Sequence, residues 1–321
     1  MIDLSQIKPK DLELLYFVLH DAISESTKLG KDEPNKVAKM TYKIPKALND
    51  LKLNINGYLL KVGGVFVHQR PYVVFGDAKS VELGDLLLIS TVIDSKGGIN
   101  RRAILLQAKM FDDLPITPDE DQHDLYKNWP PFQYKAKYLH VFNDGKREIK
   151  DLDIYSSAKY LLLAKSPKDC FWPFHFLSCR YCCSLTAQPT EELSHHTCFV
   201  DELANFVLGD RGKSFDTTSE LKSNDIGWNR VINDLLESIA NKTTKKMQNS
   251  GDNSKGTRGY GVLRFGHELN FLNLFTQELV NWQADDQEPP NEIPPWPESS
   301  NDDDGGISVI EFVLQQTDIA A

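Results

Sequence analysis

A chain of 321 residues in which 40% of the side chains are hydrophobic can bury a sizeable core, in one large domain or two small ones. With 46 acidic against 36 basic residues its net charge is −10, which sets it apart from uniformly basic nucleic-acid binders until that charge is located along the chain. No apolar run approaches the length that spans a bilayer, and Met1-Ile2-Asp3-Leu4 lacks the basic-then-apolar layout of a signal peptide. A cytoplasmic protein with no membrane partner is therefore expected.

From Asp11 to Lys28 the residues Leu12, Leu15, Tyr16, Leu19, Ala22 and Ile23 make one helical stripe, with Glu25 at its edge. Charged residues commonly border such stripes, so a solvated Glu25 needs no further role. The next strong signal is Gly84-Asp85-Leu86-Leu87-Leu88-Ile89-Ser90, a polar turn at 94–98, and then Arg101-Arg102-Ala103-Ile104-Leu105-Leu106-Gln107-Ala108-Lys109. Two apolar runs separated by Asp-Ser-Lys-Gly-Gly predict a β-hairpin, since Gly97-Gly98 supply the positive φ of a tight reversal. Period-2 geometry puts Gln107 and Lys109 on one face of the second strand. Folding the pair about residue 97 sets Asp85 opposite Lys109.

An acid, an amide and a lysine at one end of an apolar ribbon suit metal-assisted phosphodiester cleavage. Asp85 can hold Mg²⁺, with the Gln107 side-chain oxygen and the Ala108 backbone carbonyl as further ligands, while Lys109 orients water or neutralises developing charge. Hard oxygen donors favour Mg²⁺ or Mn²⁺ over zinc. The plainer alternative is a charge that begins a strand after a turn glycine and another that ends one near solvent. Glu82 and Asp77 are competing carboxylates, ranked below Asp85.

At these residues the chain resembles the PD-(D/E)XK nuclease superfamily, in the variants whose second acid is a glutamine: Asp85, then Gln107-Ala108-Lys109. The resemblance covers roughly the first third of the chain and rests on a short motif in its hairpin context. It implies metal binding by Asp85 and Gln107 and catalytic support from Lys109. It also implies a further acid from an N-terminal helix, for which Glu25 is the candidate. The chain departs from the commoner pattern at Gln107, a weaker ligand than a carboxylate.

Further along, 112–124 is acidic and turn-rich, and Leu125 to Phe132 reads as an aromatic loop that Pro130 and Pro131 bar from helix. Packing under the sheet is the first reading of its aromatic residues, and stacking on a base the second. Strands are expected at Tyr138 to Phe142, with a turn at Asn143-Asp144-Gly145, and at Lys159 to Ala164. Five cysteines without an export signal argue against a disulfide framework. Cys179, Cys182, Cys183 and Cys198, with His195 and His196, raise a zinc alternative, against which stand the neighbouring Phe171, Trp172, Phe174, Phe176 and Leu177.

Helices are expected over Phe199 to Leu208, stopped by Gly209, and over Trp228 to Ile239. Between Asn241 and Gly259 the chain is a polar, basic loop, whose Lys245 and Lys246, with Arg101 and Arg102 on the hairpin, are the cations available for phosphate contact. Residues 283–304 carry eight acids and no base, so the rest of the chain is only −2. That Pro-rich stretch suits a flexible tether. Ile307 to Leu314 reads as a strand returning to the sheet. The sequence shows no internal repeat, Gly-rich phosphate loop, nucleophile elbow or His-Glu-x-x-His helix.

The expected fold is α/β, with a central mixed β-sheet flanked by helices. A restriction-endonuclease-like core spans 1–165, a mainly helical region 166–282, an acidic loop 283–306 and a terminal strand 307–321. The expected activity is Mg²⁺- or Mn²⁺-dependent DNA cleavage, serving bacterial defence against phage or foreign DNA. A partner protein from a defence system and a homo-oligomer are both compatible with it. Two alternatives stay open: a non-enzymatic interaction protein on a degenerate nuclease fold, and a zinc-stabilised nucleic-acid-binding module centred on Cys179 to Cys198.

Overall fold

The computed structural model describes residues 7–55, 57–67, 71–77, 80–135, 145–150, 154, 157–166, 183–190, 192–193, 196–216, 225–240, 262–266 and 306–317. The expected strand at 138–142, the basic loop at 241–259, the acidic tether, Cys179, Cys182, His195, Lys245 and Lys246 lie outside them.

Helix α1 (Pro9–Leu29) starts on a proline at its first turn, where the missing N–H costs nothing, and buries Leu15, Val18, Leu19, Ala22 and Ile23. A second helix, α2 (Glu33–Asp50), which the sequence reading did not single out, follows after the Asp32 carboxylate caps it by accepting from the Asn35 N–H at 3.0 Å. The buried Lys36 Nζ donates to the Thr27 carbonyl at the end of α1, joining the pair.

Then come β1 (Asn54–Ile55), β2 (Tyr58–Val67), β3 (Tyr72–Val74), β4 (Val81–Glu82), β5 (Leu86–Ile93) and β6 (Ile99–Phe111). They are followed by α3 (Glu120–Asn128), β7 (Gln133–Tyr134), β8 (Ala158–Ala164), β9 (Ser184–Ala187) and β10 (His196–Cys198). The remaining elements are α4 (Phe199–Val207), β11 (Lys213–Ser214), α5 (Trp228–Ala240), β12 (Val262–Gly266) and β13 (Ser308–Gln316). The fold is α/β, built on a large mixed sheet in the order β1-β2-β13-β5-β6-β8-β9-β10, with β11 added to β6 and β12 to β2. Strands β4, β3 and β7 form a smaller antiparallel sheet.

Strand β13 enters the middle of the large sheet, antiparallel to β2 and parallel to β5. Its neighbour β5 is buried along nearly its whole length, which explains a continuous apolar run with no alternation. Strand β6 is antiparallel to β5 and parallel to β8, with α3 in the connection between β6 and β8. The region read as mainly helical does hold α4 and α5, but it also contributes β9 to β12 to the same sheet.

Pairing registers assign side chains to the two faces of the sheet, because paired residues point the same way and neighbours in sequence point opposite ways. One face carries Gly64, Ile310, Phe312, Leu88, Ile104, Leu106 and Lys159. Against it lie α2, whose Thr41 carbonyl rests on Gly64, and α4, whose Phe206 meets Phe312 edge-on at 6.2 Å. Lys159 pairs with Glu202 of α4 at 2.6 Å, and α1 packs on both α2 and α4 in the same layer. The opposite face carries Leu105, Gln107, Lys109 and Tyr160, and there α3 sets Tyr126 against Tyr160 with ring centroids 5.2 Å apart.

Candidate functional site

The hairpin forms as expected, with its register shifted by two residues. Leu86 pairs with Leu106 and Ile93 with Ile99, so Asp85 lies opposite Gln107 and not Lys109. The turn decides this: the Asp94 N–H bonds the Gly98 carbonyl at 3.0 Å, its carboxylate accepts from the Lys96 and Gly98 N–H groups, and Gly97 takes φ 80°. A five-residue loop thus closes the ribbon about residue 96.

Asp85 immediately precedes β5, and its N–H donates to the Leu106 carbonyl at 2.9 Å. One carboxylate oxygen, Oδ2, accepts from the Ala108 N–H at 2.7 Å and from Gln107 Nε2. Asp85 is 6% exposed and Gln107 fully buried, so this acid is held by charge-assisted bonds away from bulk water. Lys109 lies two residues on along the same face, half-buried, with no ion pair to another described residue.

Helix α3 closes the site from above. Where the sequence predicts turn and loop over 112–132, Glu120–Asn128 is helical, capped by Asp119 accepting from the Gln122 N–H and ended by Trp129 in the left-handed region at φ 44°. The pattern Asp119-Glu120-Asp121-Gln122, an N-cap acid with a glutamine three residues later, was the overlooked signal. This helix and β8 bring in three residues that sequence reasoning missed. Tyr126 donates to the Leu83 carbonyl at 2.8 Å, Gln122 reaches back toward the Glu82 carbonyl, and Tyr160 on β8 neighbours Gln107 in register. Burial, and after it Tyr160, Asp85 and Glu82, push the Tyr126 phenol well above its usual range, so it stays a donor. Burial and then Asp119 raise Tyr160 likewise. Trp129 and Phe132 are buried with tilted rings, the packing role expected first of them, and Tyr134 meets Phe132 edge-on.

The remaining candidates stand elsewhere. Glu25 pairs with Lys43 at 2.9 Å within the α1–α2 layer, on the other side of the sheet from Gln107. Arg101 and Arg102 lie near the start of β6, six and five residues from Gln107 and so about 17–20 Å away. Arg101 is buried, and Arg102 donates to the Gly212 carbonyl at 2.8 Å. Glu82 accepts from the Tyr72 hydroxyl at 2.9 Å, and Asp77 is exposed. Cys183 and Cys198 are buried free thiols; Cys183 donates to the Ser24 hydroxyl at 3.5 Å.

Among the described residues no three His, Cys, Asp or Glu side chains come together at metal-binding distance. The donors at Asp85 nonetheless suit a hard cation: one carboxylate, the Gln107 side-chain oxygen and the Ala108 carbonyl. Gln107 Oε1 is a buried acceptor with no hydrogen-bond partner, an oxygen that a cation would satisfy. A half-turn of the amide exchanges Nε2 for Oε1 beside the carboxylate. A divalent ion shared by Asp85 and Gln107 requires that rotation, since Nε2 and not Oε1 faces the carboxylate in the structure. Comparison with family models, with curated proteins and with solved structures found no match.

Proposed function

We propose that the chain is a Mg²⁺- or Mn²⁺-dependent nuclease of PD-(D/E)XK type, cleaving phosphodiester bonds of DNA. The observation that carries this reading is the meeting of Asp85 and Gln107 across the β5–β6 hairpin, with Lys109 on the same face. The order of elements supports it: an antiparallel hairpin is followed by a helix and by a strand parallel to the second hairpin strand. Asp85 and Gln107, with the Ala108 carbonyl, would hold the ion. When bound, it polarises the phosphoryl group and lowers the pKa of its water. Lys109 supplies positive charge on the attacked side, and the aromatic wall around Tyr126 holds the acid in place. Glu25 has no part in this set. By the same resemblance, defence against phage or foreign DNA is the biological role proposed, with a partner protein as activator.

The burial of Asp85 and Gln107 favours one other reading, in which the pair is a polar latch of a non-enzymatic interaction protein. Purified wild type and Lys109→Ala, incubated with plasmid and linear DNA under Mg²⁺, Mn²⁺ or EDTA, separate the two. Metal-dependent cleavage that Lys109→Ala abolishes supports the nuclease. Intact DNA under every metal, with folded wild type, supports the latch.

A further inference from the structure

The pair assigned to metal binding is closed off in this structure. Asp85 is 6% exposed and Gln107 fully buried, so a DNA phosphate has no path to an ion held between them. The element in the way is α3. Its Tyr126 hydroxyl donates to the Leu83 carbonyl at 2.8 Å, two residues before Asp85. A Cβ placed on Gly84 would come within 3.3 Å of that hydroxyl, so the missing side chain is what lets Tyr126 settle beside the acid. Gln122, one turn earlier on α3, faces the Glu82 carbonyl, and His123 bonds the Thr190 carbonyl beyond β9. These three ties run from side chains of α3 to backbone carbonyls of other segments. Each is exchanged for bonds to water when the helix lifts, so each holds it down only modestly.

The sign of the cover is also wrong for DNA. Residues 112–124 hold Asp112, Asp113, Asp119, Glu120, Asp121 and Asp124 and no Lys or Arg. All of these except Asp121 are exposed, and Lys165 pairs with Asp112 at 2.6 Å. Carboxylates at the mouth of the site repel a phosphate backbone. A helix that fills the approach and repels the substrate suits a resting state and not a binding surface.

We propose that α3 is an autoinhibitory cover, which lifts from Leu83–Asp85 as one unit, on segments 112–118 and 129–131, to admit the ion and DNA. The inhibitory role rests on the nuclease reading; the movement does not. With α3 down, the Tyr126 wall holds Asp85 on the Gln107 Nε2 group, the ion-free arrangement. With α3 lifted, the acid stays seated on the Ala108 N–H, which belongs to β6 and does not travel with the helix.

Hydrogen exchange read by mass spectrometry on full-length wild type and Tyr126→Phe, with plasmid cleavage by both proteins under Mg²⁺ and Mn²⁺, tests it. The expected result is that amides of 120–128 exchange through an opening of their own, faster than those of β5 and β6. Loss of the Leu83 bond should speed that exchange about two- to tenfold, leave β5 and β6 as protected as before, and raise cleavage by the same factor. If Tyr126 is merely structural, α3 exchanges together with β5 and β6 and the variant speeds all three alike, which overturns the cover. Faster opening of α3 with unchanged or slower cleavage overturns it too. Independent opening with no cleavage by either protein removes the nuclease reading and the inhibitory role with it, while the movement stands, so the two failures are told apart. His123→Ala, which cuts the Thr190 tie, carries the same readouts should Tyr126→Phe fail to fold.

Discussion

Asp85 and Gln107 face each other across the β5–β6 hairpin, the amide of Gln107 donating to the same carboxylate oxygen that takes the Ala108 N–H. The acid therefore ties the start of one strand to the middle of the next. Removing it leaves two buried donors unpaired. Asp85→Ala should lower unfolding stability by about 1–3 kcal/mol, and Asp85→Asn, which retains an acceptor, by less. Urea midpoints measure both. Under the nuclease reading Asp85→Asn loses cleavage while keeping most of its stability, which separates chemistry from folding.

The Lys159–Glu202 pair, whose side chains are 10% and 5% exposed, fastens α4 to the sheet at 2.6 Å. Glu202→Gln leaves the lysine charge buried without its counter-ion and should cost about 3–5 kcal/mol. Replacing both, as Lys159→Met with Glu202→Leu, removes the desolvated charges together and should recover much of that loss. A double-mutant cycle on denaturant midpoints would show additive effects if the pair were not coupled.

Alkaline pH should weaken the fold through its buried phenols. Tyr126, Tyr134 and Tyr160 all titrate above the usual value of 10.0 in the folded protein, with burial the leading cause in each. Between 10.0 and the raised folded values the native state holds protons that the unfolded chain releases. Their contribution to stability is therefore complete below pH 10 and declines as pH rises through that window. Tyrosinate absorbance should show these phenols un-ionised past pH 10 until the protein unfolds, and early ionisation of all tyrosines in folded protein would contradict the burial.

Two glycines should respond differently to alanine. At Gly64 a Cβ would run into the Thr41 backbone carbonyl, so Gly64→Ala must push α2 off the sheet at a cost of about 1–3 kcal/mol or more. At Gly97, with φ 80° and open space around it, only backbone strain opposes the change, about 1 kcal/mol. Thermal melts of the two variants should rank them in that order.

The sequence by itself determined the local elements whose period is strong. Helices at 9–29, 199–207 and 228–240, the β5–β6 hairpin and the strand at 308–316 are all carried by runs of apolar residues at spacing 3.6 or 2, or by unbroken apolar stretches. It also determined that Gln107 and Lys109 share a face, because parity along one strand needs no partner. A period reports which side of its own element a residue occupies, and nothing about which element comes to lie there. The tertiary structure decided the rest. Hydrogen bonds within the 94–98 turn moved Asp85 from opposite Lys109 to opposite Gln107. Packing sent the α1 layer, with Glu25, to the other face of the sheet, and set α3 with Gln122 and Tyr126 over the acid. It also brought β13 between β2 and β5, where Thr91 bonds Glu311 across 220 residues of chain. Contacts between elements so far apart in sequence are chosen by the combined burial of many side chains, a sum that no single stretch of residues contains.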